Sequence, residues 1–251
     1  MVQIDASGRD IREINREIRK AAEEYDQIEL LNPGARHNLA VGLTRPVELT
    51  IRGSAGYFCA GLCDSPTVHV EGNVGWGFGD NLMSGLLTVD GHAGAVCGVA
   101  QRAGDILVRG NLGSRAAQVM KGGSLVALGN AGYRAGSMMM GGTLIILGDA
   151  REALGEFLMD GEIYVGGSIH SLGEDAVESE LRDGDTDKVA QLLAKHGIEH
   201  SGTFRKIISD QRALRYQEYE SGELLFNSAA EEKAATVAAD GNRDTMSFDS
   251  D

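Results

Sequence analysis

The sequence predicts an all-β chain: a right-handed parallel β-helix of about eight 19-residue coils over residues 28–172, closed by helices at both ends. Three observations predict it. A glycine returns every 19 residues, an apolar alternation of period 2 is locked to that glycine, and a polar column follows it.

The marker glycines are Gly34, Gly53, Gly72, Gly91, Gly110, Gly129, Gly148 and Gly167. A second series follows three residues later (Gly56, Gly75, Gly94, Gly113, Gly132), and a third opens the later repeats (Gly85, Gly104, Gly123, Gly142, Gly161). Glycine makes up 35 of 251 residues, about 14% and twice the usual ~7%, with only 3 prolines. Three series in phase ask for a structure with many tight turns, and the marker glycines are expected at turns that admit positive φ.

Four residues before the marker stand Leu30, Leu49, Val68, Leu87, Ile106, Leu125, Leu144 and Ile163. Two before it stand Ile51, Val70, Val89, Val108, Ala127, Ile146 and Val165, and two after it Ala55, Val74, Ala93, Leu112, Ala131, Ala150 and Ile169. Period 2 sends these side chains to one face of a short strand. One such strand cannot bury its face, whereas stacked copies at ~4.8 Å can, and eight of them make a rod of roughly 38 Å. The column after the marker (Ala35, Ser54, Asn73, His92, Asn111, Asn130, Asp149, Ser168) suits a corner whose amides and hydroxyls bond along the stack. Left-handed hexapeptide helices need a period that is a multiple of six, so 19 favours the right-handed form.

The ends should differ from the repeats. Residues 1–27 read as a helical cap, with Ile11, Ile14, Ile18, Ala21 and Ala22 on one face of a helix over 8–25 started by Ser7 or Asp5. Residues 173–227 read as an acidic loop followed by two helices. The first is capped by Thr186, turns Val189, Leu192 and Leu193 inward and ends at Gly197; the second, 203–219, carries Phe204, Ile207, Ile208 and Leu214. Residues 228–251 are small, acidic and aperiodic, which predicts a disordered tail.

In the later coils the outward columns turn apolar: Leu107, Val126, Ile145 and Tyr164 in one, Leu128 and Leu147 in the other. A stripe of this size needs a cover, either the C-terminal helices or a partner protein. Tyr57, Trp76 and Tyr133 share a further column, with Arg115 and Arg134 beside it. Aromatics and arginine at one edge are what protein interfaces enrich, and turn packing would also account for them.

Patterns that carry chemistry are few. A net charge of −14 argues against nucleic acid or an anionic membrane as partner. No apolar run approaches the ~20 residues of a membrane span, the N-terminus is too polar for a secretory signal, and 3 cysteines suggest free thiols, so a cytoplasmic chain is expected. GNVGWGFGDN (72–81) superficially resembles a dinucleotide fingerprint, but a strand and not a helix should follow it. Cys59 and Cys97 share a column two coils apart, beyond disulfide reach, with Phe78 between them; Cys59 and Cys63 form a CxxxC too sparse for a metal or cluster site. Asp64, Asp80, Arg102 and Lys121 fit a solvated edge, and the 6 histidines are scattered. No catalytic, cofactor-binding or metal-ligating residue is therefore assigned.

The glycine segments GSAGYFCAG, GNVGWGFGDN, GHAGAVCG, GNLGSRAAQVMKGG and GNAGYRAGSMMMGG resemble the GXGXG family of β-helix domains. With NPGARHNLAVGL (32–43), GEIYVGGSIHSLGEDA (161–176) and FRKIISDQRALRYQEYE (204–220), the chain looks most like free-standing glutamate synthase-like subunits, such as the B subunit of N-methylglutamate synthase. The resemblance covers about residues 1–220. It implies a structural, non-catalytic subunit that braces a glutamine amidotransferase-like subunit and a synthase subunit with FMN and an iron–sulfur cluster. It carries over no active-site residue and no cofactor to this chain. The same family implies, as an alternative, a component like the β-helix member of a formylmethanofuran dehydrogenase-type complex; a stand-alone solenoid binding protein is the reading without partners.

Overall fold

Each period-2 run becomes a strand, and each strand pairs in parallel with the equivalent strand one coil later. The structure is a computed structural model and describes residues 1–210. In chain order the elements are β1 (Val2–Asp5), α1 (Ile11–Ala21), β2 (Gln27–Leu31), β3 (Glu48–Ile51), β4 (Thr67–Val70), β5 (Leu86–Val89), β6 (Asp105–Val108), β7 (Ser124–Ala127), β8 (Met140–Ile146), β9 (Asp160–Val165), β10 (Ala176–Ser179), α2 (Asp185–Lys195) and β11 (Arg205–Ser209). Strands β2 to β9 stack in sequence, so the chain is a β-solenoid of about seven turns.

The predicted columns hold. Leu49 pairs with Val68, Val68 with Leu87, Leu87 with Ile106, and so on to Ile163. The third column forms its own parallel ladder from Ala55 through Val74, Ala93, Leu112, Ala131 and Ala150 to Ile169. Their side chains are buried in one aliphatic core with Cys59, Phe78 and Cys97, Ile169 at the end packing against it half-buried.

The first coil departs from the period. Ile28, not Leu30, pairs with Leu49, and Leu30 pairs with Ile51. Two extra residues lie between strand and corner, and the Pro33 ring among them rests against Gly53. The N-terminal cap also begins with a strand that its sequence does not announce. Residues Val2–Asp5 pair in parallel with β2, extending the sheet by one rung before the helix. Helix α1 is shorter than predicted and is capped by Asp10, whose carboxylate accepts the Arg12 N–H at 2.8 Å, not by Ser7 or Asp5. Ile14, Ile18 and Ala21 close the open coil. Asn15 fastens the helix there: its Nδ2 donates to the Asn38 carbonyl (2.7 Å) and its Oδ1 accepts the Ala40 N–H (2.8 Å).

Positive φ explains few of the marker glycines. Only Gly34 and Gly53 have it, whereas the third series does throughout, from Gly85 (φ 107) to Gly161 (φ 98). From Gly72 onward the marker must be glycine because a Cβ would strike the corner side chain of the preceding coil: Ser54, Asn73, His92, Asn111, Asn130 or Asp149 in turn.

The C-terminal region differs most from expectation. The acidic stretch contains β10, and the predicted second helix begins as β11, which runs antiparallel to both β9 and β10. Ile207 and Ile208 alternate as strand residues there, pairing with Ile163 and Val177. Local propensity loses to the open edge of β9, which offers unpaired backbone groups to any strand that can reach it. Helix α2 starts after Gly184 with no side-chain cap, so Thr186 is not its cap; Gly197, at φ 68, follows its end. Leu214 and the predicted tail lie outside the described residues.

A candidate partner-binding edge

Of the two apolar features expected to meet a partner, the fold covers one with its own chain. Leu107, Val126, Ile145 and Tyr164 are buried beneath Val189 and Leu193 of α2, with Leu128, Leu147, Leu192, Ile198 and Phe204 packed around them. The partner reading of that stripe is therefore replaced by an intramolecular cover, which the inward-facing apolar residues of α2 had signalled. Polar contacts lock the cover down. The Lys206 ammonium, only 5% exposed, pairs with Glu162 (2.6 Å) and Asp185 (2.8 Å), and the Tyr164 hydroxyl donates to Asp185 (3.0 Å).

The aromatic column is exposed. Tyr57, Trp76 and Tyr133 are 41%, 55% and 38% accessible. Three features fix the first two rings. The Tyr57 N–H donates to His37 Nδ1 at 2.8 Å, the His37 and Tyr57 rings stack with centroids 4.4 Å apart, and Tyr57 stacks on Trp76 at 5.3 Å. Each ring leans over a second-series glycine of the next coil: His37 over Gly56, Tyr57 over Gly75, and Trp76 over Gly94, where a Cβ would lie 2.7 Å from Trp76 Cδ1. Glycine here provides a flat seat for a ring. The sequence hides His37 because it stands 20 residues from Tyr57, one off the period.

At the other end, Tyr133 is flanked by the Arg134 guanidinium, 5.0 Å from its ring centroid, and by Arg115 at 5.8 Å. Arg134 also pairs with Glu156 at 3.2 Å. Arg115 sits in a stretch where alternate residues take positive φ (Arg115 58, Ala117 57, Val119 56) and send their N–H groups alternately to the following and preceding coils: Arg115 to Tyr133 O (2.8 Å), Ala117 to Cys97 O (2.8 Å), Val119 to Ser137 O (3.0 Å). Non-glycine residues in that conformation cost roughly 1–2 kcal/mol each, and pairing on both sides holds them there. The edge is thus built on an over-determined backbone.

The other candidates stay apart or serve structure. The Asp64 carboxylate accepts from Ser84 Oγ at 2.6 Å and Asp80 from Asn81 Nδ2 at 2.6 Å; among the described residues neither pairs with Arg102 or Lys121. The three thiols are free and buried, and burial pushes Cys63 up to about 11 and Cys97 up to about 12, so both are un-ionised near neutral pH. The segment 72–81 runs into β5, not into a helix. Among the described residues no group of three or more His, Cys, Asp or Glu is placed to hold a metal ion, and no helix is long and apolar enough to cross a membrane.

No family model matches the chain. A curated relative, Protein GlxC of Rhizobium meliloti, is 37% identical over 70 residues, which is 27% of this chain and 31% of the relative's length. The match thus spans less than a third of that relative. Among solved structures, a chain of the formyltransferase/hydrolase complex FhcABCD from Methylorubrum extorquens, determined in complex with methylofuran, superposes with a TM-score of 0.56 at 24% identity, covering 69% of this chain and 68% of that one. At that identity the likeness is one of fold, and the fold it shares is found inside a multi-subunit assembly.

Proposed function

We propose that this chain is a structural, non-catalytic subunit of a glutamate synthase-like complex, with N-methylglutamate synthase (methylamine and glutamate giving N-methylglutamate and ammonia) the first choice. It would brace a glutamine amidotransferase-like subunit against a synthase subunit that holds FMN and an iron–sulfur cluster, in the cytoplasm, and hold no cofactor itself. The observation that carries the reading is the exposed, pre-ordered edge of Tyr57, Trp76, Tyr133 and Arg115 on a rigid solenoid. Large rings fixed before binding lose little entropy on association. A dry rod can hold two active sites at a fixed separation, so that a reactive amine passes between them without diffusing away.

A second reading is a component of a formylmethanofuran dehydrogenase-type complex; the solenoid likeness to a chain of the formyltransferase/hydrolase complex FhcABCD, a likeness of fold, is compatible with it. Purification of the tagged chain from its native cell, with mass spectrometry and an absorption spectrum, separates the two. A co-purifying amidotransferase and a yellow-brown flavin/iron–sulfur protein, together with methylamine-dependent N-methylglutamate formation, support the first. A metal–pterin oxidoreductase supports the second. A colourless monomer overturns both and leaves a stand-alone binding protein.

A further inference from the structure

Given that the chain is a subunit, we propose that the gap between Trp76 and Tyr133 anchors an acidic segment of a partner protein. The segment lays an aromatic or aliphatic side chain on Ala95 and Ser114 and gives a carboxylate to Arg115.

The gap follows from the coil period. Along the column the residues run Tyr57, Trp76, Ala95, Ser114, Tyr133, so two coils with small side chains separate two coils with rings. Three steps of ~4.8 Å put the ring-bearing coils roughly 14 Å apart. Trp76 already leans over Gly94, and Gly94 and Gly113 add no side chain to the floor. The period thus implies a shallow notch between the two rings, floored by the half-buried Ala95 and Ser114. A planar or branched side chain fills such a notch with contact on three sides.

Charge selects the occupant. Arg52, Arg109, Arg134 and Arg205 each face a carboxylate of this chain. Arg115, like Arg12, Arg16, Arg45, Arg102 and Arg151, is exposed with no ion pair among the described residues; what sets it apart is its place beside the exposed Tyr133 ring. A guanidinium without an internal carboxylate beside an exposed ring is the composition of an interface hot spot, and its complement is a carboxylate. Long polyanions meet the net negative charge of the whole chain. A short acidic segment needs only one or two charges near Arg115, and repulsion from groups beyond ~8 Å is screened at physiological ionic strength.

Trp76 is the only tryptophan in the sequence, so it reports on the notch directly. The test is 19F NMR of the full chain labelled with 5-fluorotryptophan, alone and in the assembly purified through it, with a gadolinium chelate as solvent probe. A photo-crosslinking residue at Ser114 identifies what lies in the gap. The expected result is a shifted, solvent-protected resonance in the assembly and a cross-link to a partner peptide with Asp or Glu within a few residues. Arg115→Glu should weaken retention of that partner at least ~10-fold, while Arg115→Lys retains part of it; circular-dichroism melting checks the fold, and Arg115→Gln replaces any variant that fails to fold. An assembly that forms with Trp76 still open to the probe overturns the anchor and leaves the subunit reading standing. So does a cross-link to a basic segment, a second copy of this chain, lipid or nucleic acid. A chain recovered alone overturns both.

Discussion

The side-chain Oδ1 of Asn111 accepts the backbone N–H of Asn130, its counterpart one coil later, at 2.8 Å, in space that a Cβ on Gly129 would fill. The same bond runs along the stack from Ser54 to Asn73, Asn73 to His92, His92 Nδ1 to Asn111, Asn130 to Asp149 and Asp149 to Ser168. Marker glycine and polar corner are therefore one device. The glycine leaves room for the side chain, and the side chain satisfies an N–H that the short strands leave over.

Two substitutions separate the parts of this device. Asn111→Ala removes one acceptor at an exposed corner where water can replace it, so a loss of about 0.5–1.5 kcal/mol is expected. Gly129→Ala should cost more, because its Cβ also meets the Gly110 carbonyl oxygen and carbon at 2.8 and 2.9 Å, and backbone cannot rotate away. Urea denaturation of the two variants tests the order; equal losses would show that the glycine serves only the turn.

Asn15 joins the cap to the first coil through both ends of its amide. Asn15→Ala leaves the buried Ala40 N–H without a partner, and a loss of about 1–3 kcal/mol is expected. Asn15→Asp keeps the acceptor but not the donor to the Asn38 carbonyl, so it should recover only part. Hydrogen exchange at Ala40 distinguishes local opening of the cap from global loss.

The cluster of Lys206, Asp185, Glu162 and Tyr164 gives the C-terminal cover a defined pH dependence. Burial opposes ionisation of Asp185, but Lys206, the Arg182 N–H and Tyr164 outweigh it and hold the carboxyl down to about 2. Glu162 is also held low, burial being overcome by Lys188 and Lys206. Burial disfavours the Lys206 ammonium, yet Asp185 and Glu162 raise its pKa above the ordinary value. Carboxyls with a folded pKa below the unfolded one stabilise above the ordinary carboxylate range and lose that contribution as pH falls from about 4 towards 2. Lys206 contributes below the ordinary lysine range and loses its contribution as pH rises through its folded pKa. Hydrogen exchange over 185–195 should thus show α2 loosening at acid pH before the solenoid does. Lys206→Met leaves the buried Asp185 carboxylate with only the Arg182 N–H and the Tyr164 hydroxyl, while Glu162 keeps Lys188, and should cost about 3–5 kcal/mol. An α2 that opens only with the coils would contradict a separable cover.

Much of the solenoid was legible because a period repeated eight times averages out local ambiguity. Leu49, Val68 and Leu87 can be aligned without knowing any contact. The misreadings fall where the period gives no help. Val2 and Ile4 offer one alternation in four residues, too short to tell strand from coil. Ile207 and Ile208 sit in a run with helical spacing, and what makes them strand is the open edge of β9, which lies 42 residues earlier at Val165. His37 is out of phase by one residue, so its stack on Tyr57 could be found only in three dimensions. Arg115 belongs to the same class: its position in the repeat puts it on the edge, but only its contact with the Tyr133 ring in three dimensions sets it apart from the other exposed arginines.

The buried stripe yields the last prediction. Leu107, Val126, Ile145 and Tyr164 face outward from the sheet and are dry only because Val189 and Leu193 lie on them. Leu193→Ala opens a cavity at that contact, and a loss of about 2–5 kcal/mol is expected, confined to α2 and its surroundings if the cover is a separate cooperative unit. Leu193→Asp buries a charge with no partner on an aliphatic surface, which should release α2 altogether. The exposed stripe would then bind a hydrophobic dye and promote association, while the three core thiols, Cys59, Cys63 and Cys97, stay unreactive to a thiol reagent because the coils that bury them are intact. Dye binding together with thiol reactivity would mean instead that the cover and the solenoid unfold as one body, and that the outward stripe is as much a part of the core as the inward columns.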